Sequence, residues 1–370
     1  MSKLTWTLEN DDASIDFTSS VMSFTYTQGR QSVLDNYGGG TATITMRNNN
    51  GQVAGAFLAY RQKVEIKVQG AILYTGFRGW VQGIIYNDTP GNANDATATI
   101  TLGDAWVLAG QQIATSQVLT SNTFQVTEIA ALQFYPGQFL QNYASSSIRG
   151  SLGYVGDYAT RLNQIVASDR GKFNNVNGNH AYFPFDDMSN LIETSLSFGR
   201  TASASVTAYQ SLDRIKAVGN QTYVNSAQVT PESLATQTAT NFGAFVVGES
   251  TITVATLNTT VGDGMNTATW IANSMADSDQ QSFVITCADI AQTDLDNFAF
   301  LIIQGAIIEL DYTPPGGVST SEWVSVEGVT VRGFPDRTEV DFNLASFTYY
   351  RAFILDDAVM GVLDSSRLGY

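Results

Sequence analysis

The chain has 370 residues, enough for two or three domains with a substantial core, and its 44% apolar content is that of an ordinary globular protein. Lys plus Arg number 18 against 34 Asp plus Glu, a formal net charge of -16 with no basic stripe, so the surface repels nucleic acid rather than binding it. One cysteine, Cys287, excludes an intrachain disulfide, and one histidine, His180, excludes a histidine-based zinc centre, which leaves packing and strand ladders to stabilise the fold.

The first residues, Met1 to Trp6, hold no basic segment leading into an apolar one, and no later run reaches the roughly 18 apolar residues of a membrane span, so a soluble chain made in the cytoplasm is expected. Trp6 and Leu8, then Ile15 and Phe17, then Val21 to Tyr26 have a strand-like pattern that ends at Gly29-Arg30. Gly38-Gly39-Gly40 reads as a flexible break. Ala42, Ile44 and Met46 then alternate with threonines up to a turn at Asn48-Asn49-Asn50-Gly51. Lys63 to Asp104 is the clearest stretch. Val64, Ile66 and Val68 alternate with charged residues, Gln69-Gly70 breaks the run, and Ala71 to Tyr74 resumes it as a hairpin. A second strand pair follows, with Trp80 to Tyr86 apolar and aromatic and Ala96, Ala98, Ile100 and Leu102 alternating with threonines beyond turn formers at Asn87 to Asp95. Five to seven strands before Gly110, with no helix between them, predict an antiparallel sandwich or barrel.

Beyond Trp106-Val107-Leu108 the composition turns to Gln, Ser and Ala with scattered aromatics, which marks a domain boundary. Asp157 offers an N-cap, Tyr158, Leu162, Ile165 and Val166 share one helical face, and Gly171 stands where such a helix would stop. Asn177-Gly178 is a hairpin signal between short apolar flanks, strand alternation returns from Ser203 to Val224, and Ser226 to Thr240 reads as an exposed connection. A second helix is expected with Asn266 as its cap and Ala268, Ile271, Ala272 and Met275 as its apolar stripe. Phe283, Ile285 and Cys287 alternate as a strand, and Asp289 to Asn297 is a polar helix or loop. An apolar strand pair runs through Leu310, Pro314 to Gly317 turns the chain, a strand pair surrounds Trp323 to Val331, and Val340, Phe342 and Leu344 alternate with polar residues. The predicted fold is mainly β: two antiparallel β-barrel or sandwich domains, 1–110 and 263–370 with a leading helix in the second, flank an α+β insert at 111–202 and returning strands with a linker at 203–262.

Several segments together resemble the minor tail proteins of tailed bacteriophages related to the baseplate hub. These are GRQSVLDNYGGGTATITMRNNNGQ, VEIKVQGAILYTGFRGWVQGI and ATITLGDAWVLAG near the start, DYATRLNQIVASDRGKF and NTATWIANSMADSDQQSFVITC in the middle, and the closing FILDDAVMGVLDSSRLGY. The resemblance runs from about Gly29 to Tyr370 and rests on the order of its motifs. It implies a structural virion protein at the tail tip, made in the host cytoplasm, whose tail-tube-like β domains form a pseudo-hexameric ring in a homotrimer. A distal tail protein or tail tube protein, a central fibre or spike protein and the tape measure protein would be its partners, and DNA would cross the ring without specific binding.

No residue is assigned as catalytic, cofactor-binding or metal-binding, and no cofactor is expected. Asp11-Asp12, Asp186-Asp187 and Asp356-Asp357 with Asp364 are carboxylate clusters of the kind that support glycoside hydrolysis when about 5–9 Å apart, but Asp is also a favoured turn and cap residue, and these are read as such. Asp277-Ser278-Asp279 lacks the rest of a calcium loop. His180 is expected on the surface of its hairpin and Cys287 buried beside Phe283 and Ile285. The glycines of GFRGWVQG follow no phosphate-loop pattern and are read as sites of bulges. Two alternatives to a hub stay open: a carbohydrate-binding tail adhesin using exposed aromatics, and a carboxylate-based cell-wall hydrolase.

Overall fold

The computed structural model describes residues 5–11, 15–30, 35–48, 58–69, 73–87, 96–118, 123–124, 139–141, 148–149, 153–176, 178–183, 192–199, 207–208, 212–218, 224–232, 234–241, 249–275, 282–288, 305–312 and 320–346. The expected turns at Asn49 to Gly51 and Pro314 to Gly317, the polar segment 289–297 and the apolar C-terminal run lie outside these residues. Among the described residues no helix is long and apolar enough to cross a membrane.

The protein is mainly β, as its alternating patterns predict. The N-terminal strands are β1 (Trp6–Asn10), β2 (Ile15–Asp16), β3 (Val21–Gly29), β4 (Thr41–Arg47), β5 (Lys63–Gln69), β6 (Leu73–Asn87) and β7 (Thr97–Gly103), followed by helix α1 (Ala105–Gln111). They pair antiparallel in the spatial order β3-β4-β7-β6-β5-β1. Both β4 and β7 carry Thr-Ala-Thr-Ile-Thr, and they pair with Ile44 opposite Ile100, so the alanines and isoleucines bury while the threonines face outward. Period-two alternation forces this division of faces.

One sequence expectation is corrected in β6. Ala71 to Tyr74 and Trp80 to Tyr86 were expected on separate strands, yet Leu73–Asn87 is one strand of 15 residues. It bends through two register shifts, one leaving Gly76 unpaired opposite Ile66 and Lys67, the other at Gln82. The glycine-rich GFRGWVQG segment therefore does supply bulges. Gly38 to Gly40 is likewise no flexible break. A Cβ on Gly39 would stand 2.3 Å from Val107 Cγ2, and one on Gly40 2.5 Å from Asp104 Oδ2, so the run permits close approach to α1.

The middle of the chain adds β8 (Ile113–Val118), β9 (Thr123–Phe124), β10 (Phe139–Gln141), β11 (Ile148–Arg149), β12 (Gly153–Asp157), α2 (Tyr158–Asp169), β13 (Lys172–Val176) and β14 (Asn179–Phe183). Asp157 caps α2 as expected, its carboxylate accepting from the Thr160 amide at 2.7 Å. The helix stops one residue earlier than Gly171, at Arg170 in the left-handed conformation. The β13–β14 hairpin turns at Gly178, whose φ of 76° suits glycine. β15 (Ile192–Gly199), β16 (Thr207–Ala208) and β17 (Leu212–Val218) follow.

Ser226 to Thr240 is not an exposed connection. It forms β18 (Ser226–Pro231) and β19 (Gln237–Thr240), which join β20 (Thr251–Thr256) in a small sheet with Ala227 and Val229 fully buried. Helix α3 (Val261–Ser274) packs on it through the expected stripe, Ala268, Ile271, Ala272 and the adjoining Met275, all buried. Its cap is Thr260 rather than Asn266, so the helix starts earlier than its apolar stripe.

The last strands are β21 (Ser282–Ala288), β22 (Ile307–Tyr312), β23 (Thr320–Gly333) and β24 (Thr338–Ser346). Trp323 to Val331 was expected as a strand pair, but β23 is one strand of 14 residues. It pairs antiparallel with β3, so N-terminal and C-terminal strands belong to a single 14-stranded sheet. The core is shared too. Leu8, Tyr26, Ile44 and Phe77 cluster with Ile308, Val329, Val331 and Phe342, and Trp6 Nε1 donates to Thr338 Oγ1 at 2.8 Å. Full burial of each such aliphatic or Phe side chain is worth roughly 1.5–3 kcal/mol, so this shared cluster ties the N-terminal strands firmly to β22, β23 and β24.

Candidate functional site

Among the described residues the strongest concentration of buried charge lies where β3 meets β23. β22 pairs with Thr320 to Ser325 of β23 and β3 pairs with Gly328 to Gly333, while β24 runs along Val324 to Gly333. β22 and β3 thus share one edge of β23, and Glu327 falls in the gap between them, at the bulge between Val326 and Gly328. A bulge re-aims a side chain, here into the interior.

The end of β3, β13 and β23 itself supply the partners. Glu327 Oε2 accepts from Arg30 Nε at 2.7 Å, and Oε1 accepts from Lys172 Nζ at 3.0 Å and Ser325 Oγ at 2.6 Å. Arg30 follows β3 directly, its amide donates to the Glu327 carbonyl at 2.9 Å, and its guanidinium lies 4.7 Å from the centre of the Tyr37 ring. Lys172 and Glu327 are both 0% exposed. Burial pushes the Lys172 ammonium down to about 8 against the pull of Glu327. Burial also works against the Glu327 charge, but Lys172 and Arg30 overcome it and hold the carboxyl at about 2. The set is an ion cluster that stays charged at neutral pH and locks the β13–β14 hairpin over the seam of the large sheet.

A second polar contact reinforces the lock. His180 was expected on the hairpin surface, but it is 4% exposed, with Nε2 3.1 Å from Asp104 Oδ2 and its ring edge-on to Trp106. The reason is docking of the hairpin on α1. Trp106, Phe173, Tyr182 and Tyr37 form a packed aromatic cluster, with Trp106 to Phe173 at 5.1 Å and Tyr37 to Trp106 at 5.7 Å between ring centres. Asp104 also caps α1, accepting from the Trp106 and Val107 amides at 2.9 and 3.1 Å. Asn175 Nδ2 donates to Gln28 Oε1 and to the carbonyl of the bulged Gly76. None of these charges or amides carried a sequence signal, because their partners come from distant segments and no spacing rule links them.

Of the carboxylates weighed from the sequence, Asp11 is described. It groups with Glu9 and Glu65, with ligand oxygens within 4.8 Å of one another. Lys63 bonds Asp11, Lys67 bonds Glu9 and Glu65, and Arg78 bonds Glu65. The Lys63 bond holds the Asp11 carboxyl below its ordinary range, the opposite of what a general acid requires. Three acids facing three bases, with Glu65 buried and the others part-buried, form a neutralised network. Asp12, Asp186, Asp187, Asp277, Asp279, Asp356, Asp357 and Asp364 lie outside the described residues. Cys287 stands on β21 as expected, in register with Val340 of β24, while its side chain lies outside the described set.

No protein-family model and no curated protein matches the sequence. Solved structures do match in fold. The tail protein from Neisseria meningitidis MC58 superposes with a TM-score of 0.61 at 9% identity over 93% of this chain and 96% of that one. The 43 kDa tail protein of prophage MuSo2 from Shewanella oneidensis gives 0.60 at 9% identity over 93% and 99%. The E. coli c3393 protein gives 0.52 at 11% identity over 88% and 73%; it is described as a component of the type VI secretion system with structural similarity to the T4 bacteriophage tail proteins gp27 and gp5. The chain therefore has the fold of phage tail and type VI secretion proteins, as the sequence resemblance implies.

Proposed function

We propose that this chain is a non-catalytic structural subunit of a phage tail tip, a hub that closes the tail tube, joins it to a central fibre or spike, and forms part of the channel through which DNA leaves. The observation that carries this reading is the length of the shared fold: it spans 93% of this chain and 96% and 99% of two tail-protein chains, so the likeness runs along nearly the whole of each chain compared. The continuous 14-stranded sheet, joined through β3 and β23, suits the wall of a ring. In this reading 1–110 and 263–370 are related ring-forming units, 111–202 and 203–262 are inserted between them, and three copies close the ring. The distal tail or tail tube protein, the fibre or spike and the tape measure protein are its neighbours in the virion. The neutralised Glu9, Asp11 and Glu65 network supports a structural role over wall hydrolysis. Electron microscopy of virions carrying a labelled copy tests the reading. Label at the tail tip is expected; label on the capsid, or on a side fibre, would remove the hub assignment.

A further inference from the structure

In a chain with 18 basic and 34 acidic residues, β3, β4 and β7 present an outward face almost free of charge. Every outward position of β3 from Ser23 to Thr27, of β4 from Thr41 to Thr45 and of β7 from Thr97 to Thr101 is a serine or threonine, and all of these are exposed or half-buried. Thr25 stands opposite Thr43 and Thr43 opposite Thr101, so the hydroxyls run in rows across strands about 4.8 Å apart. The neighbouring row continues onto β23, where Thr330 Oγ1 lies 3.2 Å from Thr27 Oγ1. Charge resumes at the margins: Arg47 ends β4, and Arg332 of β23 pairs with Asp341 of β24 at 2.8 Å.

Stability of the sheet does not by itself call for such a face. Cross-strand threonine pairs contribute roughly 0.2–1 kcal/mol each, but so do pairs of opposite charge. The same sheet uses the latter on β1 and β5, where Lys67 bonds Glu9 and Glu65. Tight docking does not call for it either, because the residues that dominate strong protein contacts are Trp, Tyr and Arg, with Ser and Thr under-represented.

The axis of a ring does call for it. Copies that each carry -16 bring like charges closest where they converge on the axis, and low-dielectric walls focus the field there. Charge-free faces turned inward keep that repulsion smallest. They also offer no Lys or Arg to phosphates, and phosphate neutralisation by those residues is what holds DNA non-specifically. We propose that the threonine face of β3, β4 and β7 lines the channel, and that the species it fits is duplex DNA in transit, which it passes without holding. This rests on the hub reading and adds to it the surface that looks toward the axis.

The test uses virions. Thr25→Lys, Thr43→Lys and Thr101→Lys together set a row of cations across the face. Virions with this triple variant are expected to eject DNA at least tenfold more slowly at about 0.05 M salt, with the gap closing toward about 0.5 M as screening strengthens. Lysines at Val261, Met265 and Asn266, on the exposed side of α3, are expected to leave ejection at the parent rate. Thr43→Cys adds no charge and gives a second readout through a bulky maleimide, measured above the background of Cys287. It is expected to react after ejection and to be shielded before. Reaction in intact virions overturns the proposal, as does shielding both before and after ejection, which marks a contact between copies. Equal slowing by the α3 lysines overturns it too. Parent-rate ejection by the triple variant, with the labelled chain at the tail tip, overturns the channel face and leaves the hub reading standing. Label away from the tail tip in the parent virion removes the hub reading itself, and this proposal with it.

Discussion

At the scale of the residue, Glu327 carries the clearest consequence. Its carboxyl is held at about 2 against an ordinary 4.5, so between those values the unfolded chain takes up a proton that the folded chain refuses. Its contribution to stability is therefore complete above pH 4.5 and lost as pH falls toward 2. Lys172 acts in another window. Burial depresses it to about 8 from 10.5, so its contribution is complete above pH 10.5 and is lost as pH falls through 8, where the buried ammonium must be carried. Glu327→Gln would leave Lys172 and Arg30 buried without their counter-charge, and removing one partner of a buried pair costs about 3–5 kcal/mol. We expect a loss of that size in denaturant unfolding at pH 7, and we expect the gap between variant and wild type to narrow as pH drops from 4.5 toward 2. Equal stability at pH 7 would contradict the buried ion cluster.

At the scale of the element, α1 and α2, both capped by an aspartate, make a matched comparison. Asp157 caps α2 at the surface through the Thr160 amide and hydroxyl, and Asp157→Ala should cost about 1 kcal/mol, the usual value for a lost cap. Asp104 is 2% exposed and serves two amides of α1 and the His180 ring, so Asp104→Ala should cost about 2–3 kcal/mol. Gly39→Ala should add a separate loss of about 1–3 kcal/mol by overpacking against Val107. Denaturant midpoints for the three variants test this, and equal losses at Asp104 and Asp157 would remove the interior role of Asp104. The same elements show what was legible in the sequence. Helix α2 was, because Asp157 and a four-residue apolar face lie within one short segment. The start of α3 was not, because Val261, Gly262 and Gly264 are poor helix formers and the stripe begins only at Ala268. β18 was hidden for a different reason: it carries few apolar residues, and its burial comes from parallel pairing with β20 and the cover of α3. His180 and Glu327 were illegible as site residues because burial by distant segments leaves no local pattern.

At the scale of the whole molecule, charge and surface chemistry set how copies can meet. Each chain carries a formal -16, and like-charged subunits repel, so a trimer must be held by contacts strong enough to overcome that repulsion. The outward face of β3, β4 and β7 is a field of threonines, with Thr25 opposite Thr43 and Thr43 opposite Thr101, which offers a flat uncharged surface amid the acidic remainder. Salt screens the repulsion over a Debye length that shrinks from about 30 Å at 0.01 M to about 3 Å at 1 M, while hydrogen-bonded and apolar contacts are much less affected. We therefore expect the purified chain to shift toward a species of three copies as salt rises from about 0.05 to 0.5 M, followed by sedimentation at fixed protein concentration. The opposite trend, a trimer at low salt that dissociates at high salt, would show that ion pairs between subunits hold the ring. A monomer at every salt concentration, and within the assembled tail, would remove the trimeric hub altogether.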